Sequence, residues 1–154
     1  MDAGPDGGPG PTGGGNTLLV AENSGKCIGI NGSGTSSGTR IYQFTCDSSA
    51  GQIWQFVSLG SGVYELRNPN SGQCATASGT ANVSLFSIQT CSAASTQTFT
   101  LKLFGGVYYQ LINTGSSRCW DVRGNSSADG TDIELYDCDF NAPAYNQAFK
   151  FVAP

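Results

Sequence analysis

The sequence contains no histidine, and charged residues make up only 12% of its 154 positions. Without histidine there is no His-ligated metal centre and no Ser/His/Asp or Cys/His nucleophile system. Lysine and arginine number 7 against 11 acidic residues, a formal charge of −4. The chain therefore lacks the broad basic surface that contacts with nucleic acid or an anionic membrane require, and neither is expected as a partner. No apolar run reaches membrane-spanning length, and the N-terminus has no charged-then-apolar secretory pattern, so an exported form is expected to have lost its signal. Long amphipathic helical patterns are missing as well.

What remains is rich in Gly, Ser, Thr, Asn and Gln, with sixteen aromatic residues (8 Phe, 6 Tyr, 2 Trp). That mixture suits many short strands joined by tight turns. The length fits one domain with a core of its own. Six cysteines, with neither CxxC spacing nor histidine, point to disulfides rather than zinc or redox chemistry, and hence to a secreted, extracellular protein. Residues 1–16, MDAGPDGGPGPTGGGN, carry no side chain large enough to bury and read as a flexible linker. The expected organisation is a monomeric module, residues 17–154, tethered by that linker to an enzyme domain of a larger exported protein.

From Thr17 onward the chain repeats itself. Ser24-Gly25-Lys26-Cys27, Ser71-Gly72-Gln73-Cys74 and Ser116-Ser117-Arg118-Cys119 each precede a second cysteine: Cys46, Cys91 and Cys138. Each second cysteine is followed by Gln52-Ile53-Trp54, Gln97-Thr98-Phe99 or Gln147-Ala148-Phe149. Three signals in one order, three times over, mark an internal repeat. Of the fifteen pairings open to six cysteines, the repeat makes one the simplest: Cys27 with Cys46, Cys74 with Cys91, Cys119 with Cys138. Each unit reads as four short strands, in the first near 17–21, 27–30, 40–45 and 53–57. Twelve strands in three units, each with an apolar set that only its siblings can cover, favour a closed pseudo-threefold barrel that leaves few exposed strand edges.

SGxC, a strand ending in aromatic-x-Cys, and Gln-x-Trp/Phe in three copies resemble the ricin B-type lectin family, also known as carbohydrate-binding module family 13, over nearly all of residues 17–154. The resemblance implies an all-β fold, a β-trefoil of three four-stranded repeats. It also implies that Trp54, Phe99 and Phe149 are core residues rather than sugar platforms, and that Gln52, Gln97 and Gln147 hydrogen-bond nearby backbone.

The family's sugar site, within one unit, uses an Asp two residues after the first cysteine, a polar residue and an aromatic on the third strand, and an Asn beside the Gln of Gln-x-Trp. A carboxylate accepts from neighbouring hydroxyls, an amide donates and accepts, and an aromatic face packs on the C–H face of a pyranose. Carried over, the resemblance selects Asp121, Glu134, Tyr136, Asn146 and Gln147 in the third unit. If Ile133 and Leu135 face the core, Glu134 and Tyr136 share the outer face, with Tyr136 expected as the floor of the pocket and Glu134 on its wall. Glu134 departs from the Gln or Asn more usual there; ionised, it offers acceptors only and favours ligands presenting hydroxyl donors. The first unit has Gly29 and Gly51 at the Asp and Asn positions, keeping only Tyr42 and Phe44. The second has Thr76, Gln89 and Thr96.

The expected function is non-catalytic binding of mono-, oligo- or polysaccharide of galactose or xylose type, with no cofactor and no metal. The alternative is a trefoil with decayed sugar sites, serving a structural or protein-interaction role. A glycosidase built on Asp121 and Glu134 is disfavoured because both are expected on one exposed, shallow face, where nothing raises a carboxyl pKa. A calcium site from Asp121, Asp129, Asp132 and Glu134 lacks any regular loop spacing.

Overall fold

A computed structural model describes residues 15–141 and 145–154. Most of the expected linker lies outside the described residues; of its positions only Gly15 and Asn16 are described, and Asn16 already opens the first strand.

The tetrapeptide before each first cysteine makes the same turn three times. Ser24, Ser71 and Ser116 accept on Oγ the N–H two residues on, from Lys26 (3.1 Å), Gln73 (3.2 Å) and Arg118 (3.1 Å). The residue between is left-handed: Gly25 (φ 69°), Gly72 (φ 72°) and Ser117 (φ 59°). Glycine adopts that conformation freely, whereas a Cβ there crowds the following carbonyl, so the third unit makes the same turn under strain.

Twelve strands follow, four per unit: β1 Asn16–Ala21, β2 Cys27–Ile30, β3 Ile41–Phe44 and β4 Trp54–Gly60; β5 Val63–Arg67, β6 Cys74–Ala77, β7 Ser84–Gln89 and β8 Thr98–Gly105; β9 Tyr108–Asn113, β10 Cys119–Val122, β11 Thr131–Tyr136 and β12 Phe149–Val152. All their pairings are antiparallel. The outer strands of the units close a six-stranded ring in which β1 pairs β4, β4 pairs β5, β5 pairs β8, β8 pairs β9, β9 pairs β12 and β12 returns to β1. The inner hairpins β2–β3, β6–β7 and β10–β11 join one another through β3–β11, β7–β11 and the Arg40–Ser87 bridge. A closed barrel capped by a triangle of hairpins is a β-trefoil, as expected.

The three cysteine pairs are those expected, Cys27–Cys46, Cys74–Cys91 and Cys119–Cys138. Closing loops of 19, 17 and 19 residues removes roughly 3 kcal/mol each of unfolded-chain entropy on the loop-closure account.

Trp54, Phe99 and Phe149 are buried in the common core with Leu19, Phe56, Leu66, Leu111 and Trp120. The glutamine two residues earlier has a different task. Gln52 Nε2 donates to the Thr45 carbonyl (2.9 Å) and its Oε1 accepts from Asp47 N–H (2.9 Å). Gln97 does the same with Thr90 (2.8 Å) and Ser92 (2.8 Å), and Gln147 with Asp137 (2.9 Å) and Asp139 (2.8 Å). Each side chain thus straddles the second cysteine of its unit and satisfies backbone groups that no strand pairs, which fixes where the next ring strand begins.

Candidate functional site

In the third unit Asp121 on β10 lies directly opposite Glu134 on β11, and Cys119 opposite Tyr136. Alternation puts Ile133 and Leu135 fully into the core, so Glu134 and Tyr136 share the other face, as expected. Asn146 and Gln147 arrive on the turn Tyr145–Gln147. Asn146 Nδ2 donates to Asp121 Oδ2 (3.1 Å) and the Val122 carbonyl (3.2 Å), and Gln147 Nε2 donates to the same Oδ2 (2.9 Å). Asp121, Glu134, Asn146 and Tyr136 line a concavity of about 340 Å³, together with Gly124 and Asn125.

Two expectations are corrected here. Asp121 and Glu134 do not lie on an exposed, shallow face: each is only 4% exposed, because the turns Arg123–Asn125 and Tyr145–Gln147 close over the hairpin ends. Tyr136 is not the floor. At 44% exposed it forms the rim, and the carboxyl pair forms the base. Gln147 is buried behind Asp121 and positions that carboxylate instead of lining the concavity.

Burial also sets the electrostatics. Desolvation raises the pKa of Asp121, against the lowering effect of hydrogen bonds from Gln147, Glu134 and Asn146. Desolvation, with the hydrogen bond to Asp121 and its charge, pushes Glu134 up to about 7, opposed by Arg123. Glu134 is therefore partly protonated near neutrality, while Asp121 is shifted in the same direction. Glu134 is accordingly both a donor and an acceptor at neutral pH, not the acceptor-only group its sequence position suggested. Its Oε1 has no hydrogen-bond partner; the nearest cation, Arg123 Nε, stands 3.8 Å away.

Three contributors escaped the sequence reading: Arg123, Gly124 and Asn125. Gly124 (φ 66°) and Asn125 (φ 55°) form two successive left-handed residues that bring the turn over the carboxyl pair. A signal existed, since a glycine stands five residues after each first cysteine: Gly32, Gly79 and Gly124.

The other units differ in geometry, not only in residue type. A Cβ at Gly29 would lie 2.9 Å from Gln52 Cγ, and one at Gly51 would lie 2.9 Å from both the Ile30 carbonyl oxygen and Ser33 Cα. The first unit packs the Gln52 side chain and neighbouring backbone where the third places Asp and Asn. It does hold a concavity of about 360 Å³, lined on its apolar side by Ile30 and Phe44 and on its polar side by Ser33, Asp47 and Asp129. In the second unit Thr76 stands opposite Ser87, and its Oγ1 donates to the Cys74 carbonyl (2.9 Å) and accepts from Gln97 Nε2 (3.0 Å). The acidic residues of the third unit do not converge on one point. Asp129 pairs with Lys26 (2.9 Å) and Asp132 with Arg40. Among the described residues, the one cluster of three potential metal-ligand atoms is Glu65, Cys74 and Cys91, whose sulfurs are already joined.

The family described as ricin-type β-trefoil lectin domain-like matches residues 9–84 and 52–136. The chain belongs to this family. Among solved structures, it is similar to the designed threefold-symmetric protein ThreeFoil, at 27% identity and a TM-score of 0.85, over 90% of this chain and 99% of that one. It is also similar to 1,3Gal43A, an exo-β-1,3-galactanase from Clostridium thermocellum, at 25% identity and a TM-score of 0.84, over 90% of this chain but 30% of the enzyme. The Macrolepiota procera ricin B-like lectin, solved with lactose, shares the fold at 17% identity and a TM-score of 0.77, over 94% and 99% of the two chains. No curated protein matches the sequence. Domains of this family are generally non-catalytic, and the ricin-type lectin shares the threefold architecture built above.

Proposed function

We propose that the chain is a non-catalytic carbohydrate-binding module of an exported, polysaccharide-acting protein. Its third unit takes a galactose- or xylose-type sugar through Asp121, Glu134, Tyr136 and Asn146, with Gln147 holding Asp121 in place. The observation that carries this reading is the convergence of two carboxyls and an amide at the base of a concavity with an aromatic ring on its rim. Hydroxyls would meet the polar base while the C–H face of the ring packs on Tyr136. The similarity to a part of a galactanase and the lactose bound by the Macrolepiota lectin support the galactose class. Three disulfides support an extracellular setting.

The burial and raised pKa of the carboxyl pair would seem to favour hydrolysis, but their spacing opposes it. Glycosidase carboxyls stand roughly 5 to 9.5 Å apart with the scissile bond between them, whereas these two are direct cross-strand neighbours at the base of one concavity and do not flank a bond placed between them. A single small site should bind in roughly the micromolar to millimolar range. Isothermal titration with galactose, xylo-oligosaccharides and galactan tests the reading, with Asp121→Ala and Tyr136→Ala expected to abolish or weaken binding by at least about tenfold. Absence of binding to all three ligands, or retention of full affinity in both variants, refutes it.

A further inference from the structure

The third-unit site has a feature that recognition of a neutral sugar does not need. Two carboxyl groups, each 4% exposed, sit side by side in the lining of the concavity, and one oxygen of the pair, Glu134 Oε1, is buried without a hydrogen bond. Such a pair is costly, since each ionised group is desolvated and repelled by the other.

The neighbouring charges do not remove that cost. Arg123, on the turn after β10, is 53% exposed at its side chain and reaches Glu134 Oε1 only at 3.8 Å and Asp132 Oδ2 only at 4.0 Å. Asp132, on the same strand as Glu134, adds a further negative charge but is held by Arg40 from β3. Strand β7 faces Glu134 and Leu135 with Leu85 and Ser84, neither of them charged. Asn146 and Gln147 both donate to Asp121 Oδ2, not to Glu134.

A hydroxyl brings one proton to this pair and no charge. A primary ammonium brings three donors and a full positive charge, enough to meet an oxygen of each carboxylate at once. We infer that the pocket selects a sugar bearing a free, protonated amino group over the corresponding neutral or N-acetylated sugar, with Asp121 and Glu134 jointly holding the ammonium. The inference rests on the sugar-binding reading above and names the ligand class of that site. On binding, the Glu134 proton leaves to solvent and the ammonium takes its place. An N-acetyl group offers one N–H and no charge, so acetylation removes the advantage. A hard cation is a poorer fit, since calcium takes six to eight oxygens and the pair supplies two carboxyls.

The test is titration calorimetry of the whole chain with galactosamine, galactose and N-acetylgalactosamine at low salt, at pH 7 and pH 5, with ethanolamine as a ringless ammonium. Hydrogen bonds to charged groups are stronger than neutral ones, so galactosamine should bind roughly tenfold tighter than galactose at pH 7, about 1.4 kcal/mol. The preference should shrink at pH 5, where the pair keeps its proton, and Glu134→Gln should bring the ratio close to one. Galactose or N-acetylgalactosamine binding as tightly as galactosamine at pH 7 overturns the inference and leaves the sugar-binding reading standing; no binding by any sugar overturns both. Ethanolamine competing as well as galactosamine, or a preference undiminished in Glu134→Gln, also overturns it. The comparison of pH 5 with pH 7 on the unaltered protein keeps the test open should Glu134→Gln fail to fold.

Discussion

The carboxyl pair should leave a mark on stability that needs no ligand to see. In the folded protein Glu134 titrates at about 7 against an ordinary value of 4.5, and Asp121 is displaced in the same direction. A carboxyl with a raised folded-state pKa prefers the folded chain when protonated. Its stabilisation is therefore fully present below the unfolded value and is lost as pH rises through the folded one. At about 1.4 kcal/mol for each tenfold change in proton affinity, Glu134 predicts a loss of up to about 3 kcal/mol between pH 5 and pH 9. For a chain of this length that corresponds to roughly 6 to 12 °C in Tm. The sequence has no histidine and no free cysteine to titrate within that window, and Glu22, which burial also raises, is separated from Glu134 by comparing the native chain with the Glu134 variant. Glu134→Gln imitates the neutral acid in shape and cannot ionise. Urea denaturation at intervals of one pH value should give a falling curve for the native chain, a nearly flat one for the variant, and a more stable variant at pH 9. A native curve that stays flat, or the same fall persisting in the variant, would refute the raised pKa of Glu134.

Three further outcomes follow from the threefold comparison. Ser117→Gly relieves a left-handed residue that the other units already fill with glycine, and should raise stability by about 0.5–1 kcal/mol, read as a rise in Tm. Gln97→Ala strips partners from the Thr90 carbonyl and Ser92 N–H and should lower stability by about 1–3 kcal/mol, checked by chemical denaturation. Gly51→Asn, which restores the family's residue in the first unit, should lower stability by about 1–3 kcal/mol without creating a sugar site, since the new Cβ would meet the Ile30 carbonyl and Ser33; a stable variant with an added binding event on calorimetry would refute that account.

Much of the fold was legible because the repeat states each structural rule three times. The Ser-x-x-Cys turns, the cysteine intervals and the Gln-x-aromatic triplets are local signals, and each acts within a few residues: a hydroxyl capping the next N–H but one, a glutamine reaching back over its own cysteine. The strand pattern of Ile133 and Leu135 likewise needed only alternation. The Tyr136 side chain was given the right face but the wrong depth. Alternation assigns a side chain to a face of a strand and says nothing about what later folds over that face.

The sequence alone determined the threefold unit, the cysteine pairing and which unit carries the full set of residue types that the family resemblance names, because each depends on residue identity at fixed local spacing. Tertiary structure decided the character of the site. The turn Arg123–Asn125 and the turn Tyr145–Gln147 belong to segments about twenty residues apart, and only their meeting over the β10–β11 hairpin buries Asp121 beside Glu134. Desolvation depends on everything packed around a group, which no local pattern encodes. Two acidic residues expected on an exposed, shallow face are, once folded, a buried pair.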